Sequence, residues 1–85
     1  MTHHASPDFW KCFDSLPADV QQLARKNFQL LKENPAHPSL HFKHIGDFIS
    51  VRVGMAHRAL GVNVHDGVLW FWIGSHADYD RIIGD

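Results

Sequence analysis

The chain has 85 residues, of which 45% are hydrophobic, and this indicates one small globular domain over residues 1–85 and argues against intrinsic disorder. A single cysteine, Cys12, excludes a disulfide framework and any multi-cysteine metal site, and it favours a cytoplasmic location. The net charge of −1 argues against binding of nucleic acid through bulk positive charge. No apolar run approaches the ~18 residues of a membrane span, so no contact with a membrane is expected.

The N-terminal part of the chain is dominated by one predicted helix. Residues 1–7 are expected to form a loose tail, and the short apolar stretch 9–13 fits either an edge strand or a helical turn. Over residues 16–33 the apolar side chains recur at helical spacing and form one stripe, which predicts a long amphipathic helix. The Asn34-Pro35 pair is typical of a helix end.

Beyond residue 38 the hydrophobic period changes from 3.6 to 2, which is the period of β-strands. Four strands joined by turns are predicted, over residues 40–45, 48–53, 58–64 and 68–73. The last of these is apolar on both faces, which favours a central position in the sheet. A short C-terminal helix capped by Ser75 follows. The predicted class is therefore α+β: a long N-terminal helix packed on a four-stranded antiparallel sheet, with a short C-terminal helix.

Two arginines, Arg52 and Arg58, are predicted to lie across one hairpin. Arg52 alternates with apolar residues along its strand, so it points away from the face that the helix covers. Two neighbouring guanidinium groups are suited to binding phosphate oxygens. The alternative is a pair of solvated arginines that form ion pairs with nearby carboxylates.

The histidines offer two further candidate features. His76 follows the predicted central strand and shares a helix face with Tyr79, so it can act as a general acid or base while Tyr79 stacks on a nucleobase. The alternative is a surface histidine beside a core tyrosine. The spacing of His37, His41 and His44 invites a zinc interpretation, but a proline interrupts any helix there and strand alternation separates the last two. No metal site is predicted.

Several short segments are specific when their order and spacing are taken together. They are Leu16-Pro17, Asn34 to Leu40, Ser50 to Gly54, His57 to Leu60, and Trp70 to His76 followed by Tyr79. The series resembles the RelE/ParE toxins of type II toxin–antitoxin systems and spans the chain from about residue 9 to residue 83. The resemblance implies a helix-covered, four-stranded antiparallel sheet.

The resemblance also implies one of two activities. RelE-like members cut mRNA in the ribosomal A site, ParE-like members inhibit DNA gyrase, and both kinds are neutralised by a cognate antitoxin protein. We favour a metal-free endoribonuclease that cleaves mRNA on the ribosome and needs no cofactor. The alternatives are a gyrase-inhibiting toxin and a catalytically inactive homologue that only binds an antitoxin. They stay open because the RNase members are usually strongly basic, whereas this chain has a net charge of −1.

In the RNase branch the resemblance implies a role for each candidate residue. Arg52 and Arg58 would stabilise the charge that develops at phosphorus, His76 would act as acid or base, and Tyr79 would stack on or orient a base. Contacts to RNA are expected from three more residues: Lys43, His41 and His57. The last stands where the family usually has tyrosine and is a second candidate base.

Overall fold

The computed structural model describes residues 2–84, and over this range it contains five strands and three α-helices. In chain order they are β1 (Thr2–Ala5), α1 (Pro7–Asp14), α2 (Ala18–Glu33), a 3₁₀ turn (Pro38–Leu40), β2 (Lys43–Ile45), β3 (Phe48–Val53), β4 (His57–Val64), β5 (Gly67–Ser75) and α3 (His76–Ile83). Each of the helices within this range is too short or too polar to cross a bilayer.

The five strands form one mixed sheet in the order β1-β5-β4-β3-β2. β1 pairs with β5 in parallel, and the other neighbours are antiparallel. The predicted α+β class is confirmed, and the four strands from β2 to β5 form the expected antiparallel meander. The predicted strand count is wrong, because a fifth strand is added at the edge.

That fifth strand lies where a loose tail was predicted. Thr2–Ala5 pairs with Gly67–Trp70, and the indole Nε1 of Trp70 donates a hydrogen bond of 3.0 Å to Nδ1 of His3. Four residues with two histidines carry no hydrophobic alternation, so the strand depends on pairing with residues more than sixty positions away. Residue 1 of the predicted tail lies outside the described residues.

Two helices, α1 and α2, precede the meander, so the long helix is not the first element of the chain. The stretch 9–13 belongs to α1. The Ser6 hydroxyl oxygen caps the start of this helix, since it accepts a hydrogen bond of 3.2 Å from the Phe9 N–H, and Pro7 occupies the first helical position. The predicted long helix is confirmed as α2, which begins at Ala18. Of the two alternatives for the stretch 9–13, the helical one is therefore correct, and a short turn separates this helix from α2.

The main core lies between these two helices and one face of the sheet. Phe13 from α1 and Leu31 from α2 pack in one cluster with Val51, Trp70 and Ile73. The apolar positions of β3 therefore face the helices, as their alternation predicts. Burial of such side chains is the main source of stability in a domain of this size.

The opposite face of the sheet carries the polar positions of β3 and is covered in part by α3. Tyr79 of α3 contacts Arg58, whose guanidinium carbon lies 6.0 Å from the centre of the phenol ring. Leu60 and Ser50 are also buried but lie outside the main core cluster. We call this surface, defined by Lys43, Ser50, Arg52, Arg58 and Leu60, the arginine face.

Candidate functional site

The centre of the candidate site is a pair of arginines on neighbouring strands. Arg52 of β3 and Arg58 of β4 are direct register partners. Directly opposite residues of an antiparallel pair have Cα atoms about 4.5–5.5 Å apart and project their side chains from the same face. Two positive charges in this arrangement repel each other, so the pair lowers the stability of the sheet unless an anion lies between them.

Neither arginine has a carboxylate partner among residues 2–84. The ion pairs in that part of the chain join other groups: His4 with Asp66, His76 with Asp80, and Arg81 with Asp78. Arg52 instead donates to the imidazole of His41, and Arg58 donates to the backbone carbonyl of His57 over 2.8 Å. Within residues 2–84, therefore, neither arginine forms the ion pair that the alternative interpretation expects.

His41 reaches Arg52 through an unusual backbone conformation. It ends the 3₁₀ turn with φ at 45°, in the left-handed region, and no other non-glycine residue of the described range has a positive φ. Nη1 of Arg52 donates to Nε2 of His41 over 2.9 Å, which requires that nitrogen to carry a lone pair. Strained residues of this kind are concentrated at functional sites. The same turn explains why the predicted strand 40–45 begins only at Lys43.

His76 and Tyr79 extend the site along α3. The His76 N–H donates to the carbonyl of Ala56 over 2.8 Å, and the His76 and Tyr79 rings lie 6.0 Å apart. The guanidinium carbon of Arg58 lies 6.0 Å from the centre of the same Tyr79 ring. Three contacts link these residues pairwise, from His76 to Tyr79, from Tyr79 to Arg58 and from Arg52 to His41, and strand register places Arg52 opposite Arg58. We call the five residues His76, Tyr79, Arg58, Arg52 and His41 the row of site residues.

Tyr79 is covered in this conformation. Its side chain is only 3% exposed, and its hydroxyl group is buried without a hydrogen-bond partner among the described residues. A covered ring cannot stack on a nucleobase unless α3 moves. In the present arrangement Tyr79 instead packs against Arg58 and His76.

The two other residues predicted to contact RNA lie on different faces. Lys43 is the register partner of Ser50, so it projects from the arginine face beside the arginine pair. His57 directly precedes Arg58 in β4 and is the register partner of Val53, which belongs to the main core. Strand alternation therefore points His57 to the opposite face, away from the row of site residues.

One residue was missed in the sequence as a candidate for the site. Asp80 lies one helical turn after His76, and its Oδ1 is 3.4 Å from Nε2 of His76. By its charge alone Asp80 would oppose the approach of RNA. The i,i+4 spacing of the two residues is the signal that identifies the pair.

The charges around the site are unevenly compensated. Asp78 and Asp80 are the acidic residues of α3, and they pair with Arg81 and His76. Lys43, Arg52 and Arg58 have no acidic partner among residues 2–84. The arginine face is therefore positive although the whole chain is close to neutral. Within the same range no three histidine, cysteine or acidic side chains lie close enough together to hold a metal ion.

Comparison with known proteins identifies the fold. No protein-family model matches the chain, and no curated protein matches it significantly in sequence. A chain of the RelB–RelE antitoxin–toxin complex from Methanococcus jannaschii superposes with a TM-score of 0.71 at 14% identity, over 92% of this chain and 96% of that chain. The chain has a RelE-like fold.

Two solved structures from Helicobacter pylori share the RelE-like fold. A copper-bound mutant toxin gives a TM-score of 0.66 at 17% identity, over 92% of this chain and 97% of that chain. A conserved hypothetical protein, solved in solution, gives 0.64 at 17% identity, over 91% of this chain and 96% of that chain. The resemblance inferred from the sequence is thus confirmed at the level of the fold.

Proposed function

We propose that this chain is the toxin of a type II toxin–antitoxin system, a metal-free endoribonuclease that cleaves mRNA on the ribosome and is neutralised by a cognate antitoxin protein. The observation that carries the proposal is the arginine pair. Arg52 and Arg58 lie directly opposite each other without a carboxylate partner among residues 2–84. Such repulsion is retained where an anion is to be bound, and an RNA phosphate between the two guanidinium groups would relieve it.

The row of site residues supplies the groups that RNA transesterification needs. The 2′-oxygen attacks the adjacent phosphorus, the bond from phosphorus to the 5′-oxygen breaks, and a 2′,3′-cyclic phosphate and a 5′-hydroxyl result. His76 takes the proton of the 2′-hydroxyl, and the leaving 5′-oxygen takes a proton from solvent water. Arg52 and Arg58 stabilise the extra negative charge on the phosphorane. Lys43 and His41 contact the flanking phosphates.

The charge distribution favours an RNA substrate over a protein that the chain would only bind, such as gyrase or an antitoxin. The net charge of −1 is what leaves gyrase inhibition and an inactive homologue open as alternatives. The acidic residues of α3 nearest to His76 are compensated by ion pairs, whereas the arginine face has no such compensation among the described residues. Phosphate contacts supply much of the affinity for nucleic acid, and the positive groups lie where the scissile phosphate would bind.

The test is cleavage of mRNA on programmed ribosomes by the purified protein, with the new ends mapped by primer extension. We expect cleavage by the unaltered chain and a reduction of roughly 100-fold or more in the Arg58→Ala and His76→Ala variants. Arg81→Ala is the matched control, because Arg81 is an exposed arginine paired with Asp78 and outside the row. This control should cleave at the normal rate.

Two outcomes would overturn the RNase assignment. Absence of cleavage together with inhibition of DNA supercoiling by gyrase would identify the gyrase-inhibiting activity instead. Absence of both activities, with binding of an antitoxin retained, would identify an inactive homologue.

A further inference from the structure

We propose that Asp80 is a positioning residue that holds the Nε2–H of His76, so that Nδ1 is the nitrogen that receives the proton of the RNA 2′-hydroxyl. This inference rests on the proposed RNase function. It assigns a role to a carboxylate that otherwise only repels RNA.

The two residues form an ion pair one turn apart on α3. Nε2 of His76 and Oδ1 of Asp80 are 3.4 Å apart, at i,i+4 spacing. The start of the helix is held by the Ser75 hydroxyl oxygen, which accepts from the Asp78 N–H over 3.2 Å, and by the bond from the His76 N–H to the Ala56 carbonyl. The backbone of His76 is anchored in this way, and its imidazole, about half exposed, lies within ion-pair distance of Asp80.

The chemistry of the two groups determines the tautomer. An ionised carboxylate only accepts hydrogen bonds, so contact with Asp80 favours a hydrogen on Nε2 and leaves the lone pair on Nδ1. After Nδ1 has taken a proton, the same carboxylate stabilises the imidazolium ion, as the aspartate of a serine-protease triad does. The ring of Tyr79 also lies near His76, with the ring centres 6.0 Å apart, and Arg58 lies 6.0 Å from the Tyr79 ring centre.

α3 offers a matched control for this test. Asp78 lies on the same helix and carries the same charge, but it pairs with Arg81 and not with His76. We therefore compare Asp80→Asn with Asp78→Asn in steady-state cleavage of ribosome-bound mRNA. We expect Asp80→Asn to lower kcat by roughly 10- to 100-fold. This is less than the ~10⁴-fold loss on altering the buried aspartate of a serine-protease triad, because His76 and Asp80 are about half exposed. Asp78→Asn should keep kcat within about twofold, and Asp80→Glu should recover part of the loss.

A purely repulsive role for Asp80 predicts the opposite result. Removal of one negative charge would then lower KM in both variants and leave kcat unchanged, and this outcome would overturn the proposal.

The second measurement does not depend on catalysis. Nitrogen chemical shifts of the neutral His76 imidazole, measured by NMR, should show mainly the Nε2–H tautomer in the unaltered chain and in Asp78→Asn. Asp80→Asn should show a mixture of tautomers. If all three proteins share the same tautomer population, the positioning role is refuted, whether or not the chain cleaves RNA. If the tautomer preference is found without cleavage, the proposed function fails and the contact itself stands.

Discussion

The buried hydroxyl group of Tyr79 makes a prediction about stability that runs against the usual effect of a core substitution. Its oxygen is buried without a hydrogen-bond partner among residues 2–84, while the side chain as a whole is 3% exposed. A buried hydroxyl without a partner costs about 1–3 kcal/mol relative to one solvated by water. Tyr79→Phe removes this cost and keeps the ring that packs against Arg58 and His76.

We therefore expect Tyr79→Phe to raise the free energy of unfolding by about 1 kcal/mol, which corresponds to a rise in Tm of roughly 4–8 °C for a domain of this size. Thermal and urea unfolding followed by circular dichroism measure this change. Tyr79→Ala is the companion variant, and it should lower stability by about 3–5 kcal/mol because the packed ring is lost. A fall in Tm for Tyr79→Phe would refute the reasoning, since it would mean that the hydroxyl is hydrogen-bonded in solution.

Three more predictions concern other parts of the fold. Burial lowers the pKa of His3, so near pH 6 the folded state binds fewer protons than the unfolded chain. The free energy of unfolding should therefore be highest above pH ~6.5 and fall as the pH drops below that value. Urea unfolding at pH 7.5 and 5.5 measures this difference, and His3→Asn should reduce it. Gly61→Ala should cost about 1–3 kcal/mol in the same assay, because an added Cβ would lie 2.9 Å from the ring of Trp70, and an unchanged midpoint would contradict this packing. Arg52→Gln should raise stability by roughly 0.2–1 kcal/mol through relief of repulsion while it reduces RNA cleavage, and a loss of stability would show that the arginine pair is not repulsive.

The parts of the fold that follow from local pattern could be predicted. The apolar stripe of α2 and the alternation of β3 each repeat at three or more positions, so the period identifies the element and the buried face. β1 has no such pattern. It becomes a strand because β5 offers it an edge and because Trp70 bonds to His3, and both are contacts between distant parts of the sequence.

Part of the candidate site could likewise be predicted from local pattern, and part of it depends on contacts between distant residues. The turn through Gly54 predicts that Arg52 and Arg58 share a hairpin, and the structure places them in direct register. Within residues 2–84 the two arginines have no carboxylate partner. This depends on where the acidic residues lie in space, and spacing along the chain does not reveal it. His57 and Arg58 point to opposite faces of the sheet because side chains alternate along a strand. The predicted strand begins at residue 58, so this alternation applies to His57 only because β4 begins one residue earlier.

The most direct test of the central claim is induction of the chain in growing bacterial cells without an antitoxin, followed by mapping of mRNA 5′ ends across the transcriptome. The account predicts growth arrest together with new 5′-hydroxyl ends within translated regions, and the loss of both in a variant with Arg52→Gln and Arg58→Gln. Continued growth and unchanged mRNA ends, with the protein folded and expressed, would contradict it.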